Sequence, residues 1–143
     1  MDIVDKARRS AMMAAIRGKD TKPEMLVRRA AHALGYRFRL HRRDLPGSPD
    51  LVFPSRRKVI LVHGCYWHRH PGCRYAAEPK SNTAFWMEKF AKNQARDQQV
   101  LTDLVAGGWD PLVVWECETR DAKVLTDRIA SYLGPREDDD LQG

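Results

Sequence analysis

"VILVHGC", residues 59–65, runs four apolar residues, three of them β-branched, into a histidine, a glycine and a cysteine. It follows the turn-like "PSRR" (54–57) and precedes a polar loop, which predicts a central strand of a sheet. A second segment, "PLVVWEC" (111–117), repeats the pattern, an apolar run that also ends in cysteine. Between the two, "NTAFWMEKFAKNQARDQQVLTDLVAGG" (82–108) predicts a long helix with Asn82 as its cap and the glycine pair as its stop. Strand, helix and strand in this order form a βαβ crossover, which sets the two strands parallel. Parallel neighbours in register would bring Cys65 and Cys117 out at the same sheet edge.

Upstream, "DLVF" (50–53) reads as a further strand. "YRFRLH" (36–41) alternates Tyr36, Phe38 and Leu40 with Arg37, Arg39 and His41, the period of a strand with one buried and one positive face. "TKPEMLVRRAAHALG" (21–35) carries Thr21 as N-cap, Glu24 three residues on, a proline in the first turn and a glycine stop, so it predicts a helix. "DKARRSAMMAAIRGKD" (5–20) predicts a shorter helix ending near Gly18, and "DAKVLTDRIASYLG" (121–134) a closing one. The order α, α, β, β, β, α, β, α implies an α/β fold with a mixed sheet. At 143 residues the chain suits one domain, here residues 1–135, followed by an acidic and disordered tail at 136–143.

The net charge of +6 understates the basic character of the domain, because "REDDDLQG" (136–143) contributes one positive and four negative charges. Residues 1–45 hold twelve Lys and Arg against five Asp and Glu. That asymmetry suits a polyanion such as duplex DNA, although a well-solvated basic protein has the same balance. No apolar run is long enough to span a bilayer, and "MDIVDKARRS" lacks a secretory pattern, so a soluble intracellular protein is expected. In that compartment three cysteines predict a metal site rather than disulfides.

"HGCYWHRHPGC" (63–73) packs three histidines and two cysteines into eleven residues. Cys65, Cys73 and Cys117 supply three thiolates, and one loop histidine would complete a tetrahedral zinc site. His70 is favoured, since "PG" turns the chain between it and Cys73, with His68 the competitor. The alternative is buried apolar cysteines and surface histidines, which leaves nothing to order the loop 66–81.

"GSPD" (47–50) places Asp50 at a strand entrance beside the strand that ends in His63, an arrangement suited to magnesium. On the long helix Trp86, Phe90, Asn93, Asp97, Val100, Leu101 and Leu104 fall on one face. A carboxylate on that inward face needs a partner. Periodicity alone favours an arginine for Asp97, while a pair with His68 would orient the imidazole to activate water. Glu24 has a capping-box explanation and, alternatively, a role facing the metal. Tyr66, Trp67, Phe85 and Trp86 are core candidates individually, yet rings beside a positive metal-bearing edge could also wedge between base pairs.

Taken together, "SPDLVF", "VHGCYWHRH", "TAFWMEKFAKNQARD" and "GWDPLVVWEC" resemble the very-short-patch-repair DNA mismatch endonucleases of bacteria, from about Asp5 to the closing helix. The resemblance implies a restriction-endonuclease-like mixed sheet flanked by helices, with a structural zinc site and a DNA-contacting helix at about 5–17. It implies magnesium-dependent nicking of double-stranded DNA 5′ of the thymine in a T:G mismatch left by 5-methylcytosine deamination. By motif, Asp50 and the carbonyl of Val62 correspond to magnesium ligands. His63, His68 and Asp97 correspond to the residues around the hydrolytic water, and Glu24 to an auxiliary acid. Met13, Tyr66, Trp67 and Trp86 correspond to the intercalating set, and Cys65, His70, Cys73 and Cys117 to the zinc ligands. It further implies a cytoplasmic, nucleoid-associated monomer linked to a cytosine-5 methyltransferase and mismatch-repair proteins. The rival readings are a nuclease of this fold with another mismatch or sequence as target, and a zinc-stabilised DNA-binding module without chemistry.

Overall fold

The computed structural model of the protein describes residues 21–135. The helix expected at 5–17, Met13 within it and the tail at 136–143 lie outside the described residues. Helix α1 (Lys22–Ala33) begins at Thr21, whose side-chain oxygen accepts the Glu24 N–H at 3.3 Å, with proline in the first turn.

Four strands follow, β1 (Arg39–Leu40), β2 (Leu51–Phe53), β3 (Lys58–His63) and β4 (Asp110–Trp115), and they lie side by side in that order. β1 to β2 and β2 to β3 are antiparallel, while β4 runs parallel to β3. The crossover between the parallel pair is helix α2 (Thr83–Ala106), and α3 (Ala122–Leu133) closes the fold. The result is a mixed α/β structure with a four-stranded sheet and three helices among the described residues.

Side chains along β2 and β3 alternate between the two sheet faces, and both faces are covered. Leu51, Phe53 and Ile60 join Val27, Ala31, Leu125 and Ile129, so α1 and α3 cover one face. Val52, Val59 and Leu61 join Leu104 and Trp109, with Val100 and Leu101 against them, so α2 covers the other. Both faces of β3 are therefore dry, which is why it reads as a continuous apolar run. Among residues 86–104 of α2, only the predicted stripe escapes full exposure.

Two expectations are corrected. "YRFRLH" forms only a two-residue strand, and both Arg39 and Leu40 are exposed. Its three-residue partner β2 is too short to pair a longer strand, and His41 at φ 46 turns the chain away. Tyr36 and Phe38 still point inward, both edge-on to Phe53. Asn82 occupies the cap position of α2 in a left-handed conformation, φ 50, with no side-chain cap hydrogen bond. That backbone turns its amide away from the first free N–H groups. No helix among the described residues is long and apolar enough to cross a membrane.

Candidate functional site

The register of β3 and β4 pairs Val62 with Val114 and His63 with Trp115. Two residues further on, the Cys117 N–H donates to Cys65 Sγ at 3.4 Å. The loop then folds back on this edge, and His70 Nδ1 lies 3.7 Å from Cys65 Sγ and 3.5 Å from Cys117 Sγ. With Cys73, the four ligand atoms all lie within 4.8 Å of one another. A tetrahedron with zinc–sulfur and zinc–nitrogen bonds of ordinary length has a sulfur–nitrogen edge of about 3.6 Å, so the donor set fits a Cys/His metal site. Burial pushes the Cys65 thiol up to about 12, so a proton held there is released when a cation binds. His70 is stacked on Trp115 with ring centroids 4.2 Å apart, which fixes the plane of its ring.

His68, the competing ligand, is used otherwise. Its Nδ1 lies 2.6 Å from Asp97 Oδ2, and its ring stacks on His63 at 3.9 Å. The arginine partner that periodicity favours for Asp97 is thus corrected to a histidine, because α2 lays Asp97 under the loop where His68 descends. Nδ1 bound to the carboxylate leaves Nε2 free of that bond, the arrangement that lets an imidazole accept a proton from water. His63 is buried beneath it. Burial and the neighbouring His68 ring drive its pKa down to about 4, so it is neutral at physiological pH.

Across the cleft, Asp50 Oδ2 accepts the Val62 N–H at 2.7 Å. Burial, with the charge of Glu24 added to it, pushes the Asp50 carboxyl up to about 8. Glu24 is fully buried, and its carboxylate pairs with Arg28 and, at 2.8 Å, with His41 Nε2. Its side chain therefore faces this cluster and does more than cap a helix. Glu24, His41 and Asp50 form a second group whose ligand atoms lie within 4.8 Å of one another. The negative charge of Glu24 beside the Asp50 carboxyl, which favours a proton there, equally favours a divalent cation.

These shifts set opposite pH slopes on stability. A carboxyl raised from 3.8 to about 8 makes the folded state hold its proton longer, so stability falls as pH rises through that range. A histidine lowered from 6.5 to about 4 makes stability rise with pH across its own interval. The two oppose each other below about pH 6.5, and above it His63 no longer offsets the Asp50 slope. Without added divalent cation, the wild type is expected to lose about 2 kcal/mol between pH 6.5 and 8. Asp50→Asn should flatten that fall in thermal melts, and an equally steep fall in the variant would assign the slope to another group.

Asp50 and the His68–Asp97 pair open into one cleft of about 690 Å³, lined also by His63, Trp67 and Trp86, with Arg43, Lys89 and Arg96 at its wall. The aromatic set packs on itself at this mouth: Tyr66 is perpendicular to Trp67 at 5.1 Å, and Trp67 lies 5.9 Å from Trp86. Phe85 is 60% exposed at the outer end. Arg69 ties the ring-bearing loop together, since its guanidinium donates to the carbonyls of Tyr66, Ala76 and Ala77 and covers the Phe90 ring at 4.3 Å.

Sequence reasoning missed three features. His41 was read only as part of a positive strand face, although the pairing of Leu40 with Leu51 places it opposite Asp50. Trp115 stands between the two histidine systems, 5.4 Å from His63 and stacked on His70, a position set by the parallel register. Lys89 and Arg96 flank Asn93 at helical spacing and were within reach of the same periodicity that found the stripe.

Carboxylates, an oriented imidazole and basic side chains around one cleft are what phosphodiester hydrolysis requires, and comparison with known proteins fixes the class as a nuclease acting on DNA. Residues 1–74 match the family described as DNA mismatch endonuclease Vsr, and the chain belongs to that family. It is 50% identical over 134 residues to the type II nicking enzyme V.XorIIP of Xanthomonas oryzae pv. oryzae, covering 94% of this chain and 98% of that one. It is 42% identical over 126 residues to the DNA mismatch endonuclease Vsr of Escherichia coli, covering 88% and 80%. The type II nicking enzyme V.NmeAIP of Neisseria meningitidis is 40% identical over 128 residues, covering 90% and 91%.

Proposed function

We propose that this chain nicks one strand of a DNA duplex 5′ of the thymine in a T:G mismatch produced by 5-methylcytosine deamination. The observation that carries this reading is the convergence of Asp50 and the His68–Asp97 pair on a single cleft with basic walls. In this reading the mixed sheet is a restriction-endonuclease-like core, and Asp50 with the Val62 carbonyl holds magnesium. In a strand the N–H and C=O of one residue point to the same side, so the Val62 N–H on Asp50 supports a carbonyl aimed likewise. The cation, when bound, stabilises charge developing on the phosphate.

Hydrolysis adds a water oxygen to phosphorus and releases the leaving oxygen, and His68 takes the proton of that water. Asp97 fixes the ring and its tautomer. His63 stays neutral and holds the His68 ring in plane by stacking, while Glu24 adds negative charge beside Asp50. Lys89, Arg96 and Arg43 meet the phosphates. Tyr66, Trp67 and Trp86, with Met13, enter the base stack at the mispair. Zinc at Cys65, His70, Cys73 and Cys117 is structural, because four protein ligands leave no open position. The enzyme acts as a cytoplasmic, nucleoid-associated monomer, linked to a cytosine-5 methyltransferase that creates the lesion and to mismatch-repair proteins.

The test is strand-resolved cleavage across mismatched duplexes in several sequence contexts, with magnesium present or withheld. Nicking confined to the T:G duplex is expected; an intact substrate after long incubation supports a binding module instead. The name nicking enzyme, carried by V.XorIIP and V.NmeAIP among others, favours as a second reading the same chemistry at another sequence or mismatch, which the same panel separates.

Asp97→Asn keeps the shape of the pair but lets the amide donate to Nδ1, which puts the ring proton on Nε2. A fall in kcat of about 10²–10⁴ is expected, the range of a lost general base. Duplex affinity should be unchanged. A variant that loses affinity while its single-turnover rate is preserved would remove Asp97 from this role.

A further inference from the structure

His41 has no part in the reading above, yet its ring sits between the two carboxylates of the cation cluster. Nε2 lies 2.8 Å from Glu24 Oε2 and 3.9 Å from Asp50 Oδ1. The backbone enforces this placement. The His41 N–H donates to the Asp50 carbonyl at 3.2 Å, which locks the two residues opposite each other at the end of the hairpin. His41 then takes φ 46, a left-handed conformation that histidine adopts more readily than most residues.

Glu24 does not depend on His41 for a cationic partner. Arg28, one turn further along α1, pairs with the same carboxylate oxygen. The imidazole can therefore turn its lone pair elsewhere without leaving Glu24 as a buried unpaired charge. Two carboxylates and one imbedded nitrogen are a different donor set from the all-oxygen shell that magnesium demands. Imidazole is a borderline ligand that favours first-row transition ions, whereas carboxylate and carbonyl oxygens alone suit magnesium and calcium.

We propose that His41 is a nitrogen ligand of the divalent cation held at Asp50, and that it turns this site toward first-row transition ions such as manganese. The inference rests on the reading that Asp50 binds the cation. With its proton on Nδ1, the ring gives up the contact between Nε2 and Glu24 and donates the Nε2 lone pair to the ion.

The test uses the full zinc-loaded chain with one equivalent of manganese and pulsed electron paramagnetic resonance, which reads nitrogen-14 coupled to the bound ion. The expected result is nitrogen modulation in the wild type and its loss in His41→Gln and His41→Asn. Manganese affinity in those variants should fall on the order of tenfold, with magnesium affinity changing less. Melting curves establish that each variant is folded. A wild-type spectrum with manganese bound but no nitrogen coupling overturns the proposal whatever the variants do. Nitrogen modulation that persists in folded His41→Gln and disappears in His68→Gln overturns it too, by placing the ion at the other histidine group. In either of these cases loss of manganese in Asp50→Asn still supports the cation site itself. Manganese binding that is equal in wild type and Asp50→Asn sinks the underlying reading, and the proposal with it.

Discussion

Asp50→Asn is expected to nick a T:G duplex about 10³-fold more slowly than the wild type in magnesium, while binding that duplex at least as tightly. The carboxyl is nearly isosteric with the amide, and the Val62 N–H that lies 2.7 Å from Oδ2 can still be accepted by an amide oxygen. What disappears is the negative charge that draws a cation into the cleft. A metal's stabilisation of a phosphoryl transition state is worth several kcal/mol, and about 4 kcal/mol corresponds to 10³ in rate. Affinity should not suffer, because removing a negative charge near the scissile phosphate lessens repulsion. Burst kinetics with the duplex in excess of enzyme separate the chemical step from product release. Equal single-turnover rates in the two proteins would take Asp50 out of the mechanism.

The second large effect concerns the other cation. Cys117→Ser is expected to leave the protein without stoichiometric zinc, to lower its stability by at least about 3 kcal/mol and to abolish nicking. The segment 66–81 has little regular structure of its own, and its fixed points are His70 and Cys73 in the Cys/His group, Arg69 and the aromatic packing. It also carries His68 and Trp67, so its release dismantles the pair with Asp97 and the ring set together. The core on both sheet faces is independent of this loop, so far-UV circular dichroism should be largely preserved while activity is lost. Elemental analysis alongside melting curves checks this. A zinc-free variant with the melting temperature and rate of the wild type would contradict the four-ligand assignment.

How much of this was legible in the sequence depends on whether a single period or a pair of elements carried the signal. The stripe from Trp86 to Leu104 obeys one helical period and was readable as such. So was the meeting of Cys65 with Cys117, because two apolar runs joined by one helix have a single favoured hand and direction. Thr21 with Glu24 announced a helix start, but the same three-residue spacing concealed that the Glu24 carboxylate turns toward His41. Spacing favoured His70 over His68 as the fourth member of the cysteine group, but it did not give the physical reason. Both are on the loop, and only the position of α2 beneath it sends His68 to Asp97 while the stacking of His70 on Trp115 sends it to the cysteines. His41 was hidden for a related reason. Its partner across the hairpin is decided by register, and the short β1 gave the alternation little length in which to declare it.

The Arg69 clamp bears on when the protein becomes ordered. Its guanidinium joins three carbonyls at both ends of the loop and lies against the ring beneath, so Tyr66 and Trp67 are held before any duplex arrives. Rotational freedom in these rings is surrendered during folding rather than at the encounter. If these rings enter the base stack as proposed, the energetic threshold for engagement is set mainly by the DNA, by the ease with which two stacked base pairs part. A mispaired step parts more readily than a Watson–Crick one, and in that mode a stiff blade would convert the difference in pliancy directly into preference.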